Sequence, residues 1–586
     1  MVWVWVVLPV RTAHGAAGRR RAGQHFQATG RRRMRVDVLA DCEYVEMAGG
    51  LSELNRALNR IPKRAEQRHA DQLRATFVDS GVSALLETSD HQVLYGRRGT
   101  GKTHAMRYLE GHVNSAGGVA VYVDLRTVGS PDGLFGGSTA PPTERAAKLL
   151  VDLLGQVHEA LITAAVEDDE LIADTAFVSK LDALATAITT VRIAGDIEVE
   201  QQGEQTESRS TSSQTSVTLS RSPSIGLSGE SVGNRATREV QREVRRGTEA
   251  IRLNFSEVAR ALRDLAAALG GRRLWILLDE WSSLPPEVQP FVGEFLVRCV
   301  LPLQQLTIKI AAIEQQTTFR ALLADGQKIG IELGADVTAN VDLDEFMVFE
   351  QDEERSRAFF QGLFFKHLTS GLEGPDDEAL RLEIESSQQF VSRAFTDKRA
   401  FDELLRACEG VPRDAINIAG KAAFKAGSGQ ISVPDVRAAA RSWYLSDKEA
   451  AVRSSDEATA LLNWIIDKVI RGKKARGFLV NQSSAETPLL LSLFDARVLH
   501  IVRRGYSAQD TPGERFDVWV IDYGAYIDLI HTKNEPQGLL PFDGDASREE
   551  GIWVDVPPQD LRAIRRAVLD LDEFRAQRPL PGKGNV

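Results

Sequence analysis

The stretch VLYGRRGTGKTHAM, residues 93–106, decides which fold the chain adopts. From Gly96 to Thr103 its spacing is G-x-x-x-x-G-K-T, the full pattern of a phosphate-binding loop. The apolar residues before the loop predict a short strand, and KTHAMRYLEGHV after it predicts a helix. A strand, a glycine-rich loop and a helix form the context in which this pattern binds phosphate, so we interpret the stretch as a nucleotide site.

The residues of this loop have separate expected roles. Backbone N–H groups of the loop and of the helix start are expected to cradle phosphate oxygens. Lys102 is expected to reach the β- and γ-phosphates, and the Thr103 hydroxyl is expected to bind Mg²⁺. The predicted nucleotide-binding residues are Gly96, Arg97, Arg98, Gly99, Thr100, Gly101, Lys102, Thr103 and His104. The alternative, a glycine turn without a ligand, does not account for the flanking strand and helix.

Two acids follow an apolar strand in LWILLDE, residues 274–280. The residues before the acids are all apolar, as in a strand that is buried on both faces of a parallel sheet. Sheets of α/β proteins build their ligand sites at this end of the strands. We expect Asp279 to hold Mg²⁺, directly or through water, and Glu280 to orient and deprotonate an attacking water. The alternative is a solvated acidic turn.

A further strand, KIAAIEQQ at residues 309–316, ends in polar side chains. Gln315 or Glu314 at this end is a candidate sensor of the γ-phosphate. An ordinary strand end is the alternative.

The stretch ACEGVPRDAINIAGKAAFKAG, residues 407–427, predicts a helix that begins near Pro412, a residue suited to a first helical turn. Arg413 in that turn is expected to close over the nucleotide from a separate helical lid, because arginine suits bidentate phosphate contact. A surface arginine at a helix start is the alternative, although the helix dipole disfavours a cation there.

These motifs, GRRGTGKT, LLDEW, the polar-ended strand, and GVPRDAI followed by ISVPDVRAAAR, occur in an order that resembles an AAA+ ATPase with its helical lid. The chain resembles the origin-recognition (initiator) clade, and most of all its bacterial members of unassigned role. The resemblance implies an α/β fold with a P-loop parallel sheet and helices on both faces, a helical lid and a C-terminal winged helix. It also implies ATP and Mg²⁺ as cofactors, slow hydrolysis, assembly governed by nucleotide, and duplex DNA as a partner.

The resemblance assigns roles to single residues. Lys102 and Thr103 match the nucleotide-loop positions, Asp279 and Glu280 match the acid pair, and Arg413 matches the lid sensor, so Glu280, Lys102 and Arg413 are the predicted catalytic residues. Sites of this class are completed at subunit interfaces, which implies a homo-oligomer or a partner protein. Arg320 and Arg357 are weak candidates for the arginine that a neighbouring subunit would supply.

The chain divides into five predicted segments. They are a disordered or mis-assigned start (1–47), a nucleotide-binding domain (48–350), a helical lid (351–450), a winged helix (451–535) and a C-terminal extension (536–586) that we expect to be peripheral. Lys102 and Asp279 are farther apart than a plain core of this class requires, so residues 132–250 are predicted to be an insertion. Within it, residues 199–238 are rich in Ser, Thr, Gln and Glu and are predicted to be disordered or mobile.

The segment after the lid predicts helices followed by two strands with a DTPGE turn, the pattern of a winged helix. Its candidate phosphate contacts are Arg471, Lys473, Lys474, Arg476, Arg503 and Arg504. A winged helix that contacts protein instead is the alternative, which the neighbouring acids Asp517, Asp522 and Asp528 and the negative charge of the chain favour.

Composition narrows the classes of function. The net charge is −11 at pH 7, so contact with nucleic acid would need a local basic patch. The three cysteines, Cys42, Cys299 and Cys408, lie far apart, which argues against a disulfide scaffold or a Cys-rich zinc site and favours a reducing compartment. The apolar start MVWVWVVLPV is too short to span a bilayer, and its arginines follow it. We expect Met34 or Met47 to be the true start, and the protein to be soluble and cytoplasmic.

Two functions of different classes fit these features. The first is an AAA+ ATPase whose nucleotide state governs assembly and DNA binding. The second is a signalling or defence-type P-loop ATPase switch whose winged helix binds protein. A kinase that uses the same loop is disfavoured, because the sequence carries no acceptor-site signature.

Overall fold

The computed structural model describes twelve stretches of the chain, all within the unit that begins at Gly50: 51–65, 68–129, 141–189, 198–200, 244–246, 254–346, 352–370, 384–473, 475–485, 487–507, 513–527 and 567–577. The predicted disordered start, all but the first two residues of the low-complexity segment, and most of the C-terminal extension lie outside these stretches.

The described strands are β1 (Gln92–Tyr95), β2 (Val119–Asp124), β3 (Glu198–Glu200), β4 (Val244–Arg246), β5 (Leu274–Asp279), β6 (Leu306–Ala312), β7 (Arg320–Leu322), β8 (Lys328–Gly330), β9 (Thr338–Asp342), β10 (Gly477–Asn481), β11 (Leu499–Ser507), β12 (Arg515–Ile521) and β13 (Val568–Leu569).

The described α-helices are α1 (Glu53–Arg60), α2 (Ala70–Thr76), α3 (Ser83–Leu86), α4 (Lys102–Ser115), α5 (Pro142–Val166), α6 (Asp169–Ala173), α7 (Thr175–Thr189), α8 (Phe255–Ala268), α9 (Gln289–Cys299), α10 (Leu343–Phe346), α11 (Glu353–Ser370), α12 (Ser387–Ala394), α13 (Lys398–Ala407), α14 (Pro412–Ala426), α15 (Val433–Trp443), α16 (Glu449–Val452), α17 (Asp456–Ile466), α18 (Gln482–Ala485), α19 (Pro488–Asp495), α20 (Tyr523–Tyr526) and α21 (Leu571–Gln577).

A five-stranded parallel sheet in the order β2-β5-β6-β1-β9 carries the nucleotide loop. Strands β1, β5 and β6 are buried along their whole length, because helices cover both faces of the sheet and apolar side chains point to each. This sheet confirms the predicted α/β class. Strand β9 was not predicted, because an edge strand with three exposed residues has no continuous apolar run.

The helices of the predicted insertion belong to this domain's core. Helix α5 packs against β2, and α7 packs against α8, so both contribute apolar side chains to one face of the sheet. Helix α5 is also the one helix in the described stretches that is long and apolar enough to cross a membrane, but core helices pass the same test, and 39% of its most apolar window is buried.

The lid and the segment after it share one hydrophobic core. Helices α11 to α15 of the lid pack together, and their core continues without a break to Trp519 and Tyr523 of the C-terminal segment. Helix α1 also joins this core by packing against α14, although the sequence order assigned it to the nucleotide-binding domain. The Asn55 side-chain amide donates to the carbonyls of Gly427 and Gly429, at 2.8 and 2.9 Å, and so fixes α1 to the end of α14.

We call residues 456–577 the C-terminal module. Its sheet has the order β11-β12-β10-β13, with β12 antiparallel to both neighbours and helices α17 to α19 before β11. The pair β11–β12 lies where the two-stranded wing is predicted, and the winged-helix assignment stays a prediction. Strand β13 pairs with β10, and Leu569 and Leu571 are buried, so this part of the extension is not peripheral as predicted but completes the sheet.

Candidate nucleotide site

The glycine-rich loop connects β1 to α4, as the sequence predicts. It turns through left-handed backbone at Gly99 (φ 95°) and Gly101 (φ 106°), and α4 begins at Lys102 directly after it. The Thr100 hydroxyl donates to the carbonyl of Arg97 at 2.9 Å and closes the loop on itself. The start of a 14-residue helix, with its unpaired N–H groups and positive dipole end, therefore faces the interior of the loop.

Lys102 is buried inside this loop. Its Nζ donates to the carbonyls of Gly96 and Arg97, at 2.7 and 3.1 Å. Burial lowers the pKa of Lys102, and the nearby carboxylates of Glu280 and Asp279 act in the opposite direction. The lysine and the acid pair are thus close enough to interact electrostatically, which is the arrangement that the two motifs predict.

The acid pair lies at the carboxyl end of β5, beside β2. Asp279 is fully buried, and its two carboxylate oxygens accept hydrogen bonds at 2.8 Å from the Tyr122 hydroxyl and from the backbone N–H of Glu280. Each carboxylate oxygen has a second lone pair with which it could bind a cation. Mg²⁺ binds through one or two protein oxygens together with phosphates, so the Asp279 carboxylate and the Thr103 hydroxyl are the oxygen types that would suit it, and their role as ligands stays a prediction.

Glu280 lies in an environment that shifts its pKa. Burial raises its pKa, Asp279 raises it further, and Lys102 and Arg126 oppose the increase. Its backbone is left-handed (φ 58°), a conformation that costs energy for a residue with a side chain and that occurs often at functional sites. A base whose pKa lies closer to neutral than an ordinary carboxylate is better matched to proton transfer from water.

Tyr122 is a site residue that the sequence analysis missed. The Tyr122 hydroxyl donates to Asp279. The Tyr122 ring lies under the guanidinium of Arg107, whose central carbon is 3.5 Å from the ring centroid. The only signal in the sequence is a tyrosine within the valine-rich strand VAVYVD. A tyrosine in such a strand is equally well predicted to be a core residue. Only the pairing of β2 with β5 brings Tyr122 to the acid pair.

The lid reaches the loop through the first turn of α14. The backbone N–H of Arg413 donates to the carbonyl of Gly99 at 3.2 Å. A Cβ atom at Gly99 would lie 2.8 Å from the Cβ of Arg413 and 3.3 Å from Val411, so the approach is as close as glycine allows. Arg413 also acts on the pKa of Lys102, which brings the third predicted catalytic residue to the same place.

This close approach predicts a strong effect of Gly99→Ala. The added methyl group would clash with the lid, and alanine would have to adopt the left-handed backbone conformation of Gly99. A steric mismatch of this kind costs about 1–3 kcal/mol. We therefore expect nucleotide affinity to fall by roughly tenfold or more. Gly117→Ala is the matched control, because Gly117 is left-handed too (φ 84°) but has open space around its Cβ position. Nucleotide titration and thermal unfolding of both variants test this; equal affinities would contradict a tight loop–lid contact.

Two predicted nucleotide-binding residues use their side chains elsewhere. The Arg97 side chain is buried and bonds to Asp344 (Nε to Oδ1, 2.7 Å) and to the C-terminal module. The His104 ring bonds to the carbonyl of Leu73 in α2, and burial lowers its pKa to about 4. Arg98 is exposed. The backbone of Arg97 and Arg98 remains part of the loop, but the side chains of Arg97 and His104 have structural partners.

One of the two candidate sensor residues, Glu314, contacts the C-terminal module. Both candidates lie in a single turn after β6, Glu314–Gln316. The Glu314 carboxylate pairs with Arg504 at 2.5 Å, and the Gln315 side chain donates to Glu314 at 3.1 Å. The following residue, Gln316, donates to Asp495 at 2.7 Å. A sensing role for Glu314 or Gln315 stays a prediction, and the structure adds Arg504 as the partner of Glu314.

The remaining described candidates either pair with acids or are exposed. Arg320 pairs with Glu332 at 3.1 Å, and Arg357 pairs with Asp402 at 2.8 Å. Of the six candidate phosphate contacts in the C-terminal module, Lys474 lies outside the described residues. Three others have acidic partners: Arg471 with Asp467, Arg476 with Glu409, and Arg504 with Glu314. Lys473 and Arg503 are exposed.

Comparison with known proteins gives one family match. Residues 62–116, which include β1, the glycine-rich loop and α4, match a family model described as ORC-CDC6-like. No curated protein matches the chain.

Two solved structures align with most of the chain at low similarity. Cdc6p from Pyrobaculum aerophilum is 12% identical over 81% of this chain and 97% of its own length, with a TM-score of 0.24. The Orc1 protein of Aeropyrum pernix in complex with DNA is 12% identical over 81% of this chain and 94% of its own, with a TM-score of 0.26. These TM-scores are too low for either structure to support a function.

Proposed function

We propose, from the premise that the chain carries an origin-recognition-like AAA+ ATPase region, that it binds ATP with Mg²⁺ and hydrolyses it slowly, as a switch. The observation that supports this most is the meeting of three distant motifs at one end of the parallel sheet. The charges of Lys102, Asp279, Glu280 and Arg413 act on one another there, and the lid touches the loop at Gly99. A loop that served only to connect a strand to a helix would not require this set of charged residues around it.

Each residue has a role in the proposed reaction. The N–H groups of the loop and Lys102 would hold the phosphates, while Thr103 and Asp279 would hold Mg²⁺, which neutralises phosphate charge. Tyr122 orients the Asp279 carboxylate. Glu280 would accept a proton from the attacking water, and Arg413 would contact the phosphates from the lid. Positioning and charge dominate this chemistry, because phosphoryl transfer needs little covalent help.

We further propose that the nucleotide state governs assembly, as a homo-oligomer or with a partner protein in the cytoplasm, and the binding of duplex DNA by the C-terminal module. The direct test is ATP hydrolysis by the purified chain with and without duplex DNA, together with nucleotide titration and sizing in ATP and in ADP. Stimulation by DNA supports this function. Hydrolysis that DNA leaves unchanged, but that a protein ligand stimulates, supports the alternative.

The alternative is a signalling or defence-type switch whose C-terminal module binds protein. The observation that favours it is the pairing of basic residues within the chain. Arg476 is held by Glu409 in a nearly buried pair, and Arg504 is held by Glu314, so neither guanidinium is fully available to a phosphate backbone. Among the described candidates, Lys473 and Arg503 are exposed, and the pairing of Arg476 and Arg504 makes the basic surface smaller than the sequence predicts.

A salt titration separates the two functions. If the module binds DNA through phosphates, the double variant Lys473→Ala, Lys474→Ala should flatten the plot of log K against log salt by up to about two units, since each phosphate contact contributes about one. Lys421→Ala with Lys425→Ala, in the lid, removes the same charge and is the control. An unchanged slope for the first pair, measured by fluorescence anisotropy, would count against DNA binding by this surface.

A further inference from the structure

The nucleotide loop is joined directly to the C-terminal module through the side chain of Arg97. One guanidinium nitrogen of Arg97 (Nη1) lies 2.9 Å from His500 Nδ1 and 3.3 Å from the carbonyl of Leu499. The guanidinium also lies over the Phe494 ring, 4.5 Å from its centroid. Arg97 and His500 are 403 residues apart in the chain, so this contact exists only when the module is docked on the loop.

The hydrogen bonds of His500 determine how it connects the two parts. An arginine can only donate, so His500 Nδ1 accepts from Arg97, and the proton lies on Nε2, which donates to Asp522 at 3.0 Å. Burial and the Arg97 charge lower the pKa of His500 to about 4, so the ring stays neutral and can serve both partners at neutral pH. The imidazole thus bridges a cation of the loop to a buried anion of the module.

The bridge continues to the lid. Asp522 pairs with Lys448 at 2.5 Å, and Lys448 pairs with Asp414 at 2.9 Å. Asp414 in turn pairs with Arg497 at 2.8 Å. Asp414 directly follows Arg413, the lid residue at the loop, so a continuous path of buried polar contacts runs from the loop through the module to the first turn of α14.

The same part of the module contacts the turn after β6. Asp495 accepts from Gln316 at 2.7 Å, and Arg504 pairs with Glu314 at 2.5 Å. The segment Asp495–Arg504 therefore contacts the loop, the lid and the end of β6, three elements that surround the proposed nucleotide site. We call this segment the docking segment.

Because its charges are buried, this network of ion pairs is expected to be either fully formed or fully broken. Removing one partner of a buried ion pair leaves an uncompensated charge in the low-dielectric interior, so the network resists partial opening. Arg97, His500, Asp522, Lys448 and Asp414 are all nearly or fully buried. Such contacts would transmit a change in the position of the loop or lid to the docking segment.

We propose that the docking segment couples nucleotide binding to the position of the C-terminal module, with the bound nucleotide and the docked module stabilising each other. This inference rests on the proposed function and adds its regulation. A loop ordered by nucleotide holds Arg97 in place for His500, and a docked module holds Arg97, and through it the loop, in the binding conformation. His500 acts as a positioning residue and makes no contact with nucleotide.

Linkage requires the effect to be reciprocal. If docking strengthens nucleotide affinity by some factor, nucleotide must strengthen docking by the same factor, and such factors are typically about 5- to 150-fold. Two independent measurements therefore have to agree. One is nucleotide affinity, and the other is backbone amide exchange in β11, which reports opening of the docked module.

The variants are chosen around His500. His500→Leu removes both hydrogen bonds, whereas His500→Gln can accept from Arg97 with its carbonyl and donate to Asp522 with its amide, and so should rescue. Phe494→Leu weakens the contact with Arg97 while it keeps apolar volume and leaves Asp522 with its partners, which covers the case that His500→Leu fails to fold. Tyr523→Phe is the control. It removes a buried hydrogen bond between the module and the lid, in which the Tyr523 hydroxyl donates to Glu403, and this hydrogen bond is not part of the path from the loop.

Hydrogen exchange of the full chain with and without Mg-ATP tests the proposal. In the parent and in Tyr523→Phe, we expect nucleotide to slow amide exchange of residues 499–507 by about fivefold or more. In His500→Leu and Phe494→Leu, we expect this slowing of exchange to be lost and the nucleotide affinity to fall by a similar factor. His500→Gln should behave as the parent. Retention of the full slowing and of parental affinity in the Leu variants would overturn the proposal.

The outcomes separate this inference from the function on which it rests. A parent chain that binds no nucleotide removes the proposed function and this regulation with it. A parent chain that binds nucleotide without any change in exchange at residues 499–507 overturns the coupling alone.

Discussion

Lys102→Ala should abolish nucleotide binding, with an affinity at least about 100-fold below that of the parent chain. The variant removes the one loop cation expected to contact two phosphates, and charge-assisted hydrogen bonds are worth about 1.5–3 kcal/mol each. Burial lowers the pKa of Lys102, so its charged form is less favourable there than in water. A bound phosphate would supply negative charge that favours the charged lysine.

Loss of affinity must be separated from loss of fold. Removing Lys102 also removes a buried charge, so we expect the melting temperature without nucleotide to change little, and the rise in melting temperature with Mg-ATP to disappear. Lys148→Ala, in α5, is the control, because Lys148 pairs with Glu144 on the helix surface and has no contact with the loop. Isothermal titration measures affinity directly. Parental affinity in Lys102→Ala would exclude the loop as the phosphate site.

Glu280→Gln should leave ATP bound but slow its hydrolysis by about 10²–10⁴-fold, the usual contribution of a general base. Glutamine has the shape of glutamate and can still hydrogen-bond a water, but it cannot accept a proton. Since Asp279 and Lys102 are untouched, affinity should stay within a few-fold of the parent. Single-turnover hydrolysis and nucleotide titration measure the two quantities separately.

The pH dependence gives a second test of Glu280. A base must be deprotonated to act, and the pKa of Glu280 is raised by burial and by Asp279. The rate of the parent should therefore rise with pH through a pKa above the ordinary carboxylate value, and Glu280→Gln should lose this limb. Glu287→Gln is the control, because Glu287 pairs with Arg145 at the surface. Hydrolysis by Glu280→Gln at the parental rate would remove Glu280 from its role.

The parts of the site that local sequence predicts well are those built by neighbouring residues. A loop of fixed spacing between a strand and a helix is a local structure, and an apolar run that ends in two acids marks a buried strand end. The loop at Gly96–Thr103 and the acids at the end of β5 follow from such short stretches. Pro412 likewise marks the start of α14, one residue before Arg413.

The parts that were missed depend on contacts between distant residues. Tyr122 becomes a site residue because β2 pairs with β5, and strand β9 is an edge strand without an apolar pattern. Helix α1 packs on the lid, and β13 completes the C-terminal sheet, although both lie outside those domains in sequence order. The sequence of each segment does not say which distant element the segment packs against.

Sequence alone determined the α/β class, the position of the glycine-rich loop and the position of the acid pair at the end of β5, because each is encoded within a few consecutive residues. Only the tertiary structure decided what the loop touches. The side chain of Arg97, which the spacing assigns to a nucleotide loop, lies against His500 of the C-terminal module, and Gly99 lies against Arg413 of the lid. The physical reason is that a buried guanidinium must be paired, and which partner pairs with it depends on how whole domains pack.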